Sequence, residues 1–382
     1  MSARIVVIGG GVIGAALTWR LAQAGAGVTL VEANSLASGT SSTSFAWLNS
    51  NSKPPLAYHR LNHAGLREHS ALRDEFGDAP WLHLIGNLTW EQPAIQGASE
   101  PDVPISGEPL SAKIERLRGW DYPVDVLDRR EVARRFPELA PPEDVERFAH
   151  FPHEGYADVP LLVGSLAKAA VALGARVIDH DPVASIAVES GCATGVTTRG
   201  GESLPADVVV TATGRWSEQV LALAGISLPM APTLGLLVVT SPVACSLQSL
   251  VHSPGVNIRP DGGSRYLLAN YDVDNRLTEA DSAETRAAMA EDILQRAKDL
   301  VPALRDSRVE SIRLGVRSIP ADGFPVVGPV PGVEGLYTVA THSGVTMGPL
   351  LGRLAATEIM TGEVDDMLAP YRVERLARPI SV

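Results

Sequence analysis

The sequence has little cysteine and no long apolar run, and each shortage removes a class of protein. Its two cysteines, Cys192 and Cys245, lie far apart and form no CxxC pair. We therefore expect neither a disulfide framework nor a metal site, and reduced thiols predict a cytoplasmic protein. Because no apolar stretch reaches the ~18 residues that span a bilayer, we expect no integral membrane segment.

Positive charge is also scarce. The 382 residues carry a formal net charge of -12, which argues against nucleic acid as a partner. Lysine in particular is rare, since it occurs only as Lys53, Lys113, Lys168 and Lys298. Apolar residues are plentiful at 45%. Over this length they predict two domains or one large interrupted domain.

A glycine-rich turn follows the first apolar run. Residues 5–8 predict a buried strand, and the turn that follows reads Gly9-Gly10-Gly11-Val12-Ile13-Gly14. Gly9 permits a tight turn, Gly11 lets a pyrophosphate approach, and Gly14 lets a helix pack closely on the sheet. Glu32, about 20 residues further on, ends a second strand and can accept hydrogen bonds from a ribose. The motif predicts a bound dinucleotide and leaves both NAD and FAD open.

The order of the remaining elements predicts the fold class. Parallel strand and helix signals occur at the N-terminus, in the middle and at the C-terminus, and antiparallel strand signals fill the gaps. Predicted helices cover 55–75, 128–136, 158–173, 280–300 and 350–360, and 86–109 predicts a strand followed by an irregular loop. We expect an α/β fold (α+β overall). A Rossmann-type nucleotide-binding domain (1–50, 148–218 and 325–372) is interrupted by an antiparallel-sheet substrate domain (51–147 and 219–324).

Three separated segments carry a family resemblance. The first is the glycine turn with Gly39-Thr40-Ser41-Ser42, and the second is the strand and turn at 208–217. The third is 314–328, followed by the loop at 341–349. In this order and spacing the chain resembles the FAD-dependent D-amino-acid oxidase family, which includes glycine oxidase, sarcosine oxidase and bacterial D-amino-acid dehydrogenases. The resemblance favours FAD over NAD.

The resemblance also implies where FAD is held. Noncovalent binding is expected, because neither cysteine falls in the C-terminal segment where sarcosine oxidases attach their flavin. Glu32 would bind the adenosine ribose, and the start of the last helix would stabilise negative charge on the flavin. The implied contacts are Gly9, Gly11, Val12, Ile13, Gly14, Glu32, Ala33, Thr40, Ser41, Ser42, Val183, Thr213, Gly214, Trp216, Gly344, Val345, Thr346 and Met347.

The substrate residues follow from the same resemblance. Arg317 matches the family arginine that binds the substrate carboxylate, a role that suits the planar fork of a guanidinium. Further candidates are Phe45, Trp47, Asn257, Arg259 and His342. Asn257 stands where the family usually has a tyrosine, which predicts a roomier pocket. Lys53 matches no motif position, and we expect it to be a solvated surface lysine.

The implied activity is oxidation of the Cα–N bond of an amino acid, with hydride transfer to flavin N5. The resemblance favours a glycine-oxidase-like enzyme that acts on glycine or an N-substituted glycine and uses oxygen to form peroxide. Two alternatives stay open: a D-amino-acid dehydrogenase that passes electrons to a quinone or carrier, and another flavin reaction linked to NAD(P)H. A homo-oligomer is compatible with the sequence.

Overall fold

The computed structural model describes residues 2–91 and 108–380. Its helices, numbered in chain order, are α1 Val12–Gln23, α2 Leu56–Phe76, α3 Leu110–Gly119, α4 Arg129–Arg135, α5 Val159–Ala172, α6 Ser217–Ala222, α7 Tyr271–Arg276, α8 Ala283–Leu300 and α9 Gly344–Thr361. Within the described ranges, every helix is too short or too polar to cross a lipid bilayer.

A six-stranded sheet forms the first layer of the fold. In spatial order its strands are β20 Val326–Pro329, β21 Leu336–Ala340, β13 Val208–Thr211, β1 Arg4–Ile8, β2 Gly27–Val31 and β9 Arg176–Ile178. All neighbouring pairs are parallel except β20 and β21. The central strands are mostly apolar because both faces of the sheet are covered. Helices α1 and α9 pack on one face, and Ile186, Val196 and Leu204 of a small antiparallel sheet pack on the other. The expected Rossmann-type α/β arrangement is confirmed.

Helices α1 and α9 pack against each other through small residues. A Cβ on Gly352 would lie 2.7 Å from Ala16 Cβ, and one on Gly348 would lie 3.0 Å from a Val12 methyl. Since α9 has no side chain at these two points, small side chains of α1 pack directly on its backbone and the helices approach closely. Helix α5 covers α1 on another side, with Leu162 and Leu166 fully buried.

An eight-stranded sheet forms the second layer. Its spatial order is β19 Val309–Val316, β15 Leu234–Thr240, β18 Tyr266–Ala269, β17 Asn257–Pro260, β16 Leu250–His252, β5 Asn87–Trp90, β7 Arg147–Phe151 and β6 Asp125–Asp128. The pairing is antiparallel except between β16 and β5. Helix α8 packs on this sheet through Ile293, Leu294 and Ala297, all fully buried. The expected antiparallel sheet is therefore present.

Three small sheets complete the described strands. They are β10 Val183–Glu189 with β11 Cys192–Thr198 and β12 Ser203–Pro205; β14 Ile226–Ser227 with β22 Arg378–Pro379; and β3 Trp47–Leu48 with β8 Gly155–Ala157 and β4 Leu82–His83. The domain bounds given above stay a prediction, because the sheets assign strands rather than domain limits.

Two helix predictions need correction. The last helix begins at Gly344 rather than at 350, so the expected loop at 341–349 is largely its first turns. Pro349 lies inside the helix and lacks an N–H, which leaves the carbonyl of Val345 without its usual donor. His69 Nε2 donates to that oxygen instead at 2.9 Å. Helix α3 was not expected, and the loop predicted at 86–109 falls largely outside the described residues.

Candidate active site

The glycine turn at the end of β1 has no room for side chains at two positions. Gly9 has φ +108°, and a Cβ there would lie 2.5 Å from Ala212 O. A Cβ on Gly14 would lie 1.8 Å from Gly9 O. These contacts show that glycine is required for the turn itself and for the close approach of α1 to the sheet.

A cavity of about 380 Å³ lies beside this turn. It is bordered by the first turns of α1 and α9, so the positive ends of two helices face it. Residues expected to bind the cofactor form much of its wall: Gly9, Gly11, Val12, Ile13, Glu32, Ala33, Thr40, Ser41, Val183, Thr213, Gly214, Trp216, Gly344 and Val345. Sequence reasoning missed other polar wall residues, namely Asn34, Arg199, Gln219, Ser318 and Thr341.

Four residues expected at the cofactor lie elsewhere. Gly14 packs on the glycine turn, and Ser42 Oγ donates to Gly39 O at 3.0 Å and closes its own turn. Thr346 lines the neighbouring cavity described below. Met347 is fully buried, and its N–H donates to Ser343 O at 3.0 Å within α9. The early start of the helix therefore uses the Met347 N–H that was expected to face the flavin.

The polar wall of the large cavity suits a dinucleotide. Ser318 Oγ and Thr341 Oγ1 are buried there and find no hydrogen-bond partner among the described residues. Such atoms are normally satisfied, so a bound polar group fits. Glu32 stands at the end of β2, where its carboxylate accepts hydrogen bonds from Gly10 N at 2.6 Å and Asn34 N at 2.9 Å. Neither cysteine lines the cavity.

A second cavity of about 130 Å³ adjoins the first. The two share the wall residues Thr40, Ser44, His342 and Val345. Of the residues expected to contact substrate, it is lined by Phe45, Trp47, Asn257, Arg317 and His342. We refer to it as the substrate cavity.

Arg317 follows directly after β19 and is anchored on one side of the substrate cavity. Its Nη1 donates to Leu234 O at 2.7 Å and to Thr233 Oγ1 at 3.2 Å. Its Nη2 forms an ion pair with Asp274. About a fifth of the side chain is exposed. The guanidinium is thus held in one orientation while it borders the cavity.

Arg259 is not a wall residue of the substrate cavity. It is buried, pairs with Asp261 at 3.1 Å, and lies 4.9 Å from the centre of the Tyr156 ring. Its Nε donates to Phe45 O at 2.6 Å. The expected contact with substrate is therefore replaced by a structural one, in which Arg259 supports the segment that carries Phe45.

Lys53 is not the surface residue that was expected. Only 3% of it is exposed, and it lines the substrate cavity. Burial, with a smaller contribution from the charge of Lys53, lowers the pKa of His342 to about 3. The pKa of His252 lies well below its usual value because of burial, with smaller contributions from Lys113 and Lys53. Both histidines are therefore neutral at physiological pH.

Trp47 and His252 form part of the wall of the substrate cavity, and the sequence predicted only Trp47 there. Their rings stack, with centroids 3.6 Å apart. Trp47 Nε1 donates to Glu154 at 3.2 Å, and His252 Nδ1 bonds to Asn87 Oδ1 at 2.9 Å. Asn87 in turn donates to Glu154 at 3.2 Å. This closed ring of contacts, centred on a fully buried carboxylate, fixes the stacked pair.

Among residues 2–91 and 108–380, no group of three or more His, Cys, Asp or Glu side chains is placed to hold a metal ion.

Comparison with known proteins identifies the family. The family of FAD dependent oxidoreductases (DAO) matches residues 4–358. A glycine oxidase from Pseudomonas putida is 30% identical, covering 98% of this chain and 99% of that protein. A glycine oxidase from Geobacillus kaustophilus is 29% identical, covering 97% of this chain and 96% of that protein.

A solved structure agrees with these sequence matches. The crystal structure of glycine oxidase from Geobacillus kaustophilus superposes with a TM-score of 0.78 at 26% identity, covering 97% of this chain and 99% of that one. With a cavity that fits a dinucleotide and a match over nearly the whole chain, the protein belongs to the FAD dependent oxidoreductase (DAO) family and is an FAD-dependent amino-acid oxidoreductase.

Proposed function

We propose that the enzyme oxidises the Cα–N bond of glycine or an N-substituted glycine and passes the electrons to oxygen. Loss of two electrons gives an imine, which water hydrolyses to glyoxylate and ammonia or a primary amine, and oxygen takes up the two electrons and two protons to form hydrogen peroxide. The observation that carries the proposal is the substrate cavity, which adjoins the large cavity and has Arg317 and Lys53 in its wall. The similarity to glycine oxidases supports it.

The anchored Arg317 suits carboxylate binding. A guanidinium offers two parallel N–H donors to a carboxylate, and one that is already oriented loses little entropy when it binds. Carboxylate binding at this wall would fix the direction of the substrate Cα–H bond relative to the neighbouring cavity. When bound, FAD supplies the oxidising chemistry by accepting a hydride.

The charges around the cavity favour a neutral amine. Its wall has the cations Lys53 and Arg317 and the carboxylate of Asp274, which pairs with Arg317, so the remaining positive charge would repel a protonated amine and lower the pKa of the bound amine. His252 and His342 are held neutral and add no positive charge. A neutral amine has the lone pair that oxidation at Cα requires, so the reaction needs no strong protein base.

The test is a substrate screen without oxygen that follows flavin absorbance. Glycine, N-methylglycine and N-ethylglycine should bleach the flavin, and reoxidation in air should yield about one peroxide per glyoxylate. Bleaching by D-alanine but by none of the glycines would refute the proposed substrate. Bleaching without peroxide in air would identify a dehydrogenase instead, and rapid reduction by NADPH would identify a nicotinamide-linked reaction.

A further inference from the structure

A small recess opens off the substrate cavity. The two share Trp47, His252, Asn257 and Tyr271 as wall residues. The rest of the recess is lined by Asn51, Ser52, Asn87, Thr89 and Lys113. Its volume of about 10 Å³ holds roughly one water molecule, or one oxygen atom of a ligand that reaches in from the larger space. We refer to it as the Lys113 recess.

Lys113 brings a buried cation to this recess. It lies on α3 and is 9% exposed. Its Nζ donates to Ser52 Oγ at 2.9 Å, and Ser52 Oγ donates to Asn51 Oδ1 at 2.7 Å. An ammonium has three donors, so its hydrogen-bonding capacity exceeds this one contact. Burial lowers the pKa of Lys113 to about 8, which still leaves it protonated at neutral pH.

Glu154 is not a contact partner for this cation. Its oxygens accept hydrogen bonds from Tyr122 OH at 2.6 Å and from Asn51 Nδ2 at 2.7 Å, as well as from Trp47 and Asn87. Its attraction raises the pKa of Lys113 only in part against burial. The contacts of the ammonium in the described structure are the hydrogen bond to Ser52 and the face of the Phe151 ring, whose centre lies 5.6 Å from Nζ. Glu154 attracts this buried cation from a distance, and an anion that accepts a hydrogen bond from Nζ would complete its surroundings.

We infer that the Lys113 recess is a subsite for a second acidic group, so that the preferred substrates are N-substituted amino acids with two carboxylates. This inference rests on the proposed function. The combined wall contains three cations, Lys53, Lys113 and Arg317, and one carboxylate, Asp274. A substrate with one carboxylate near Arg317 and another at Lys113 would balance two of these positive charges. One oxygen of the second carboxylate would occupy the water-sized space of the recess.

The first test compares two substrates of similar size in the wild-type holoenzyme. N-(carboxymethyl)glycine has two carboxylates, and N-ethylglycine has one. We expect kcat/KM to be about tenfold or more higher for the dicarboxylate, the effect of one charge-assisted hydrogen bond. Equal or reversed preference would overturn the inference while leaving the proposed function intact. Failure of both substrates to reduce the flavin would instead sink the proposed function.

The second test assigns the preference to Lys113. Lys113→Met removes the charge at similar length, and Lys168→Met makes the same change at an exposed position on α5. Lys113→Met should raise KM for the dicarboxylate about tenfold and leave that of N-ethylglycine within about twofold, with FAD content unchanged. Lys168→Met should change neither. An equal effect on both substrates would mean that Lys113 is only structural.

A third measurement uses the wild-type enzyme alone, so its outcome does not depend on whether a variant folds. Glutarate and butyrate have similar length and differ by one carboxylate. As competitive inhibitors of the wild-type enzyme, glutarate should bind about tenfold more tightly if the recess accepts an acidic group. Butyrate binding as well as glutarate would contradict the subsite.

Discussion

The large cavity is walled chiefly by strand ends, helix starts and glycine turns, whereas the substrate cavity is walled by side chains from distant segments. In the first, Gly9 and Gly14 act through the absence of a side chain, because a Cβ at either position would meet a backbone oxygen. In the second, Trp47 is held by the side chain of Glu154, 107 positions away along the chain. The comparison teaches that one site depends on close backbone approach and the other on contacts between side chains.

Gly14→Ala tests whether the large cavity depends on close backbone approach. The added Cβ would lie 1.8 Å from Gly9 O, a backbone atom with little freedom to move. We expect a loss of about 3 kcal/mol in the free energy of unfolding, with loss of bound FAD. Denaturant unfolding and the ratio of flavin to protein absorbance measure both.

Gly164→Ala is the matched control for that variant. Gly164 lies on α5, and a Cβ there meets nothing within 4 Å. Removing glycine from this helix should raise stability by about 0.5–1 kcal/mol. If Gly14→Ala also kept its FAD and its stability, the turn would not be limited by the backbone contact.

Arg317→Ala tests whether the substrate cavity depends on individual side chains. If this side chain binds the substrate carboxylate, kcat/KM should fall by about 100-fold, and Arg317→Lys should also be impaired because it loses the two-point contact. The defect should shrink for glycinamide, which has no carboxylate. Rates of anaerobic flavin reduction measure the effect.

Arg313→Ala serves as the control, four positions earlier on β19. Arg313 pairs with Asp261 at 2.9 Å and lines neither cavity. A partly exposed ion pair contributes little, so kcat/KM should stay within about twofold of wild type. Equal rates for Arg317→Ala and wild type would make Arg317 a structural residue bound to Asp274.

Glu32→Gln should have a moderate effect confined to the large cavity. The substitution keeps the size of the side chain and removes the charge that strengthens a hydrogen bond to a ribose. We expect FAD affinity to fall by about 1–3 kcal/mol, measured by titrating the apoprotein with FAD. Glu189→Gln, at an exposed position on β10, should leave the affinity as it is. Unchanged affinity in Glu32→Gln would mean that the ribose is bound elsewhere.

His69 gives an effect that is confined to acidic pH, and it tests the border of the two cavities, where its ring bonds to Val345 O. Burial lowers its pKa from 6.5 to about 4. The folded protein therefore binds this proton more weakly than the unfolded chain. The stability it contributes is complete above pH 6.5 and is lost as the pH falls towards 4.

His69→Gln keeps an N–H donor and removes the titration. Between these two pH values the slope of unfolding free energy against pH should fall by about 1.4 kcal/mol per pH unit. Above pH 6.5 the difference between the variant and wild type should be constant, which serves as an internal control. Parallel curves across the whole range would show that His69 does not titrate as its burial implies.

The sequence predicted those parts of the site that local chemistry determines. The glycine turn, Glu32 and the Thr40–Ser41 loop carry their meaning in neighbouring residues, and the structure places them around one cavity. Lys53 was misassigned because prolines, serines and asparagines surround it, a composition typical of exposed loops. Only the tertiary fold shows that this segment is buried against the substrate cavity.

Other misses have the same physical origin. Arg259 was assigned to substrate, but its partners come from the Phe45 segment and from Asp261. Glu154 carries no motif, since a carboxylate reveals a structural role only when its donors are assembled around it. The start of α9 was misplaced because Pro349 indicates a helix start, whereas a histidine from another helix compensates for its missing N–H.

The close packing of α1 on α9 also bears on how slowly the cofactor leaves. Gly348 and Gly352 let α1 pack directly on the backbone of α9, so the helix starts that border the large cavity do not separate without breaking the core. Residues 39–44 form a loop that supplies another part of the wall, and this loop is tied to β19 by the hydrogen bond from Thr40 Oγ1 to Val316 O at 2.8 Å. We therefore expect the dissociation rate of FAD to depend on how often that loop opens. A change in the loop could then alter the residence time of FAD without altering the contacts that determine its affinity.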